Sequence, residues 1–375
     1  MSRSRKFASR PRKVASILAL ATVLAVLVAA CEDEEEPLDL ADDPEEEEPD
    51  AEEPADPDDE EDEEPEADDP EDEEDPGEDD APDGSGELAS ITVGDIQGIP
   101  STFLQFAVDE GFLEDEGLDV TVEPNPGGAA NIPGVESGEF EIAGSNVISV
   151  YLARAEGLPM QMVSAGTFAT EEPDEDFSHI LVPEDSDIEE PTDLEGRSVA
   201  VNTLANIAEV TIRAALERND VEHSDIEFVE MGFPDMVPAA LDGEIDAVHV
   251  IEPFQSIGWD QGMREIIAPY AETEPGLAIG SYFSSDEYIE ENPEVIDSFI
   301  AGVSAGGEYV EENPEEFRDA LVELADLDPE VADGANLPAW GGPVDTESAE
   351  LLSEYMVEFD LFDEAPPTDE VIYQP

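Results

Sequence analysis

Residues 32 to 86 set the first limit on what this chain can fold into. They hold 35 Asp and Glu in 55 positions, nine prolines, no base, and no large apolar residue beyond Leu38 and Leu40. So little apolar surface cannot offset the entropy of ordering a backbone, and like charges drive the segment apart. Residues 32–87 are therefore expected to be a disordered, acidic, Pro-rich tether, reaching on the order of 170 Å if extended at about 3.1 Å per residue. The tract lacks the ordered acid positions and central glycine of an EF-hand loop, which favours a spacer over a calcium site.

The charge imbalance continues beyond the tether. The 375 residues carry 12 Lys+Arg against 103 Asp+Glu, a net charge of -91, which excludes nucleic acid as a partner. From Glu87 onward, 68 acids face six bases, leaving 62 net negative charges. All six are arginine (Arg154, Arg197, Arg213, Arg218, Arg264 and Arg318), and no lysine follows residue 13. An acidic surface stripped of lysine points to work at high salt, where a Debye length of roughly 3 Å at 1 M mutes like-charge repulsion. The alternative is a solvated face on an unusually acidic mesophilic protein. The 289 residues from Glu87 are enough for one large or two modest lobes with real cores.

The first 31 residues have the layout of a signal peptide. Met1 to Lys13 carries six bases and no acid, and Val14 to Ala30 is an apolar run of 17 residues ending in small side chains. Cys31, the single cysteine of the chain, directly follows Val28-Ala29-Ala30, a junction that resembles a bacterial lipobox. Its thiol would carry a diacylglyceryl group and anchor the protein to the outer face of the cytoplasmic membrane. The competing reading is a free cysteine in a membrane helix. A cysteine used for a lipid leaves none for a disulfide, a zinc cluster or a thiol nucleophile.

From Ala89 onward, short β-rich runs alternate with amphipathic helical stretches, the pattern of an α/β fold with mostly parallel sheets. The first series predicts strands over Ile91–Ile96, Asp119–Glu123, Phe140–Gly144 and Met160–Phe168, with helices opening near Pro100, Ala129 and Asn146. After an acidic crossing, Glu171–Asp176, a second series predicts strands over Ser198–Thr203, Asp225–Met231, Asp246–Ile251 and Met263–Ile267, with helices near Asn206, Asp235 and Glu252. Gly138-Glu139-Phe140-Glu141 and Gly243-Glu244-Ile245-Asp246 echo each other before corresponding strands. The chain then crosses back through Gly276–Phe283 and runs on as helices over Pro293–Val310, Glu315–Leu327 and Thr346–Phe359. This organisation gives lobe I from 88–170 plus 280–375 and lobe II from 177–275. Two open α/β lobes leave a cleft at the carboxyl ends of their strands, where loop amides and helix N-termini serve as donors.

Ala107-Val-Asp-Glu-Gly-Phe-Leu-Glu-Asp-Glu-Gly-Leu-Asp-Val120, Ala153-Arg-Ala-Glu-Gly-Leu-Pro159, Asp193-Leu-Glu-Gly-Arg-Ser-Val-Ala-Val201, Ala240-Leu-Asp-Gly-Glu-Ile-Asp-Ala247 and Glu252-Pro253-Phe254 occur in that order. By these runs the chain resembles the substrate-binding proteins of ABC importers in the nitrate, sulfonate, taurine and thiamine-precursor group (SsuA/TauA, NMT1/THI5-like), over roughly Ile91 to Phe317. The resemblance implies a type II periplasmic-binding-protein fold. It also implies a monomer that closes on a small molecule and delivers it to a membrane permease driven by an ATPase. It implies neither cofactor nor metal.

Carried onto this chain, the family's loops give the expected ligand-binding residues. Gln97 would offer an amide after the first strand, with Ser101 or Thr102 as an N-cap hydroxyl. Gly127 and Gly128 would allow close backbone approach, or form a plain turn, in the loop ending at Asn131. Ser145 and Asn146 close a strand and open a helix, and Thr203 and Asn206 do the same in the second lobe. Thr203-Leu-Ala-Asn206 departs from the family's glycine-serine pattern, which puts the ligand class in question. Glu252 either faces the cleft as partner for a cationic or amino-heterocyclic ligand, or caps the helix that follows Pro253. Tyr282 and Trp340 are expected as aromatic walls or as core.

No arginine lies in these loops, so an anion would depend on helix N-termini against a strongly negative field. A neutral or cationic heterocycle such as an aminopyrimidine is favoured over nitrate, alkyl sulfonates or taurine. An enzyme is disfavoured: no lysine or cysteine follows Cys31, and His179, His223 and His249 are scattered. A ligand-presenting sensor module is the alternative of another class.

Overall fold

A computed structural model describes Leu88 to Gln374. The signal, lipobox and tether expectations, Cys31 included, lie outside those residues. The described residues belong to one compact unit.

The chain makes β1 (Ala89–Ile96), β2 (Leu118–Asn125), β3 (Ile142–Asn146), β4 (Met160–Ala165) and the short β5 (Thr167–Phe168). It continues through β6 (Ser178–Pro183), β7 (Ser198–Val201), β8 (Glu227–Glu230), β9 (Ala247–Ile251) and β10 (Met263–Ile267). It returns by β11 (Gly280–Ser285) and later adds β12 (Ala339–Trp340). Two five-stranded sheets result, ordered β2-β1-β3-β11-β4 and β8-β7-β9-β6-β10. In each, the first three strands are parallel and the last two pair antiparallel. Each sheet with its helices forms one lobe.

The sequence echo has a structural meaning. Gly138 caps the helix Ile132–Ser137 with φ +74°, and Gly243, φ +73°, follows the helix Phe233–Leu241. Both sit in the left-handed region where only glycine is unstrained, and each turns the chain into the middle strand of its sheet, β3 or β9.

The eight strands expected by alternation are present, with ends shifted by a few residues. Two central strands are not legible as strands in the sequence. β6 lies just beyond the crossing Glu171–Asp176, where no strand is predicted, and β11 falls largely in the crossing Gly276–Phe283, yet each enters the sheet next to β9 or β3. His179 lies within β6, bonded through Nδ1 to Gln255 Oε1 at 2.9 Å. His249 in β9 is core: fully buried, with Nε2 2.8 Å from Ser178 Oγ and its pKa pushed down to about 3 by burial.

Helix starts follow local chemistry. Asn292-Pro293 and Asn313-Pro314 open the helices Pro293–Glu312 and Pro314–Leu324 with proline at the first helical position. The helix Val147–Ala155 is buried on more than one face, with Val147, Ile148, Val150, Tyr151 and Ala153 all buried. It runs between its sheet and the helix Thr346–Glu358, so two faces lose solvent. Phe103, Phe299, Phe317 and Trp340 anchor the core between β1 and the C-terminal helices. Among the described residues, no helix is long and apolar enough to cross a membrane.

Candidate functional site

A cavity walled by buried polar and aromatic side chains opens where β1 and β3 end and β11 begins, beside the short β5–β12 pair. It encloses ≈ 270 Å³ of empty space, solvent at its mouth included, and its walls include Asp95, Ser145, Thr167, Ser281, Tyr282 and Trp340. Asp95 brings the one carboxylate of this lining, and no Arg, Lys or His contributes to it.

Asp95 follows from the strand's own period. Ile91, Val93 and Asp95 occupy alternate positions of β1 and are all buried, so the acid takes a place where the core pattern calls for an apolar side chain. Its Oδ1 accepts from the Ile96 N–H at 2.7 Å, and its Oδ2 accepts from the Tyr282 hydroxyl at 3.2 Å. Burial nevertheless pushes its pKa up to about 7. Gly144 makes room for this carboxylate, since a Cβ there would fall on Asp95 Oδ1. Each carboxylate oxygen keeps acceptor capacity beyond its single bond.

Three further polar atoms of the lining side chains are buried without a partner among the described residues: Ser145 Oγ, Ser281 Oγ and Trp340 Nε1. Buried groups of this kind are normally satisfied, and those at a cavity wall are available to a ligand. Trp340 stacks its ring on Phe103 at 4.7 Å, and Tyr282 packs edge-on to Phe299 at 5.1 Å. Both aromatic walls are thus locked by their neighbours.

Of the residues expected at the cleft, Ser145, Tyr282 and Trp340 meet at this cavity. Gly128 lies against Ser145, where a side chain would collide with the serine hydroxyl. Gly127 faces Asn202 of the other lobe, its Cβ position 3.8 Å from the Asn202 amide nitrogen. Asn131 is fully buried and ties strands together, donating through Nδ2 to Gly144 O at 2.7 Å and Gly94 O at 3.4 Å. Asn146 and Asn206 cap the helices Val147–Ala155 and Ile207–Arg218, and Asn206 Nδ2 donates to Ser149 Oγ at 3.1 Å across the lobes.

The expectation of an N-cap hydroxyl is corrected. Ser101 and Thr102 do not cap a helix: Gly98 is the N-cap, and both hydroxyls donate back to its carbonyl, at 3.3 and 2.8 Å. Gln97 is half-buried and holds the β1–β2 edge through its backbone N–H, which donates to Asn125 O at 2.8 Å. Thr203 lies half-buried in a turn beside exposed Leu204.

Glu252 does not face the cleft as a free carboxylate. It is fully buried at the end of β9 and accepts from Gln255 Nε2, Ser256 N–H, Ser256 Oγ and Asn336 N–H, at 2.9 to 3.2 Å. Pro253 is the N-cap of the helix Phe254–Asp260, and Glu252, one residue earlier, accepts from the Ser256 N–H of its first turn. Asp95 is the carboxylate that sequence reasoning missed. The signal was an acid at an inward position of β1.

Among the described residues, no group of three or more His, Cys, Asp or Glu is placed to hold a metal ion. Known proteins share the fold. The periplasmic aliphatic sulphonate binding protein SsuA from Escherichia coli superposes with a TM-score of 0.63 at 20% identity, covering 78% of this chain and 93% of that one. The periplasmic nitrate-binding protein NrtA from Synechocystis PCC 6803 gives 0.61 at 14% identity, covering 74% and 83%. These likenesses bear out the expected periplasmic-binding fold. The formylaminopyrimidine-binding protein of Halalkalibacterium halodurans is 25% identical over 201 residues, 53% of this chain and 58% of that protein, so the match spans less than two thirds of that relative. The sequence model described as NMT1/THI5 like matches residues 100–317, more than half of the chain, which therefore belongs to the NMT1/THI5-like family.

Proposed function

We propose that this protein is an extracytoplasmic solute-binding protein, anchored by a lipid on Cys31, that hands a small molecule to an ABC permease and its ATPase. Lobe I (88–170 and 280–375) and lobe II (177–275) would close on the ligand. The observation that carries the reading is the cavity built around Asp95, with unpartnered Ser145, Ser281 and Trp340 groups and two aromatic walls. A buried carboxyl can accept from an exocyclic amine and, when protonated, donate to a ring nitrogen. An anion would meet that carboxyl with no base in the lining to offset it. The favoured ligand is thus a neutral or cationic heterocycle of the aminopyrimidine type. Recognition by Asp95 takes the place of the role first expected of Glu252.

Thermal unfolding at molar salt against aminopyrimidines, flavins, nitrate, alkyl sulfonates and taurine tests this, since a ligand that binds the folded state raises its stability. An aminopyrimidine shift is expected, with affinity weakened roughly 10- to 100-fold in Asp95→Asn, the range for a hydrogen bond to a charged group. A shift with nitrate or sulfonates alone would replace the heterocycle by an oxyanion held at helix N-termini. The anchor is tested separately. Cys31→Ser is expected to move the protein from the membrane to the soluble fraction, whereas retention would assign the anchor to the apolar run Val14–Ala30.

A further inference from the structure

The buried carboxylate of Glu252 links two parts of the molecule far apart in sequence. Three of its four donors come from the helix start beside it, Gln255 and Ser256. The fourth is the backbone N–H of Asn336, at 3.0 Å, from the segment that leads into β12. The Asn336 side chain adds a second link, Nδ2 donating to Asp176 O at 3.0 Å, and Gln255 Nε2 donates to the same carbonyl at 2.9 Å. Asn336 is thus held through its backbone by the Glu252 carboxylate after β9, in lobe II, and through its side chain by the Asp176 carbonyl of the crossing that leads into β6.

Four residues later the same segment becomes wall. Trp340 pairs with Thr167 in the β12–β5 ladder, and the next residue, Gly341, donates its N–H to Gly166 O at 3.1 Å. Its ring lies on Phe103 of lobe I, and it lines the cavity. The segment is therefore fixed at Asn336 to one lobe and at Trp340 to the other. Asn336 to Trp340 contains no helix and one proline, Pro338, so displacement at one end is passed along a short chain to the other.

We propose that Glu252 is a positioning residue: through Asn336 it clasps the return segment to lobe II and so holds Trp340 in the cavity wall. The proposal rests on the reading of that cavity as the ligand site, but its test needs no ligand. A carboxylate is suited to the task because it accepts from all four donors at once. Glutamine can keep the Asn336 bond only by presenting its amide NH₂ to the Ser256 N–H, which needs an acceptor.

Trp259 and Trp340 are the two tryptophans, so Trp259→Phe makes Trp340 the sole indole reporter. In the full mature chain carrying that change, at molar salt, Trp340 is 8% exposed and is expected to resist quenching by acrylamide. Glu252→Ala removes the acceptor of the Asn336 N–H and is expected to raise the quenching constant severalfold while the far-ultraviolet circular dichroism and cooperative unfolding persist. Glu252→Gln, which can keep that bond by giving up the one from the Ser256 N–H, is expected to give a smaller rise, as is Asn336→Ala, which removes only the link to Asp176. Should Glu252→Ala fail to fold, Asn336→Pro, which removes the N–H that Glu252 accepts, carries the test. Ser256→Ala removes a bond to the same carboxylate but leaves the clasp, and is expected to match the parent. Unchanged quenching in folded Glu252→Ala or Asn336→Pro, or an equal rise in Ser256→Ala, would overturn the proposal. Failure of every ligand in the binding panel would leave these outcomes unaltered, so the two readings fail separately.

Discussion

Below a few tenths molar salt the mature protein is expected to lose cooperative folding, and above about 1 M to regain it, as the Debye length shrinks from about 10 Å at 0.1 M to roughly 3 Å. The reason lies in how the few bases are used. Arg154 pairs with Asp286 at 2.6 Å, Arg197 with Asp187 at 2.9 Å, Arg213 with Glu209 at 2.7 Å, and Arg218 with Glu274 at 3.0 Å. Arg264 is taken by the carbonyls of Ser186 and Ile188, and Arg318 by the carbonyl of Ala335 and by Glu315. Each arginine neutralises at most one or two neighbours, so most of the 68 acids beyond residue 86 face one another. Their repulsion opposes compaction and is relieved only by mobile ions. Circular dichroism melts in potassium chloride from 0.1 to 3 M measure this. A melting temperature unchanged across the series would remove the high-salt reading.

Raising the pH from 5 to 8 at fixed molar salt is expected to destabilise the fold. Burial lifts the carboxyls of Asp95 and Glu252 to about 7 and that of Asp176 to about 6, above their ordinary values of 3.8 and 4.5. The folded state then binds these protons more tightly than the unfolded chain. The stability they contribute is fully present below the unfolded values and is lost as the pH climbs through 6 to 7. His249 acts the other way. Held near 3 against an ordinary 6.5, it favours the folded state as the pH rises to about 6.5. Three carboxyls outweigh one histidine, and the net loss is on the order of 5 kcal/mol, or roughly 10–20 °C in melting temperature. Asp95→Asn should flatten the profile by removing one of the three protons. A melting temperature that holds level or rises between pH 5 and 8 would show that these carboxyls are not desolvated as the structure has them.

The limits of what could be read from the chain are visible in particular residues. β1 is legible because Ile91 and Val93 alternate with polar neighbours, and the same alternation exposes Asp95 as an acid on an inward position. β6 and β11 are not legible, because an antiparallel strand inserted at mid-sheet is specified by the partners waiting on either side. Gly280-Ser281 carries little strand pattern, and the apolar run Ile180-Leu181-Val182 of β6 is too short for its period to tell strand from helix. Ser101 and Thr102 have the residue types of helix caps, yet the helix begins before them at Ile99 and their hydroxyls turn back to Gly98.

By itself the sequence determined what depends on neighbours along the chain: the strand and helix periods, the glycines that stop helices before β3 and β9, the charge that calls for salt, and the order of motifs that marks the family. Tertiary structure alone decided which buried groups meet. Asp95 finds Tyr282, 187 residues away, and Glu252 finds Asn336, 84 residues away. Those pairings decide that one carboxylate lines a cavity while the other is enclosed by its own donors. Burial and hydrogen bonding are properties of the whole packed molecule, and no local pattern encodes which of two similar acids will keep a free edge.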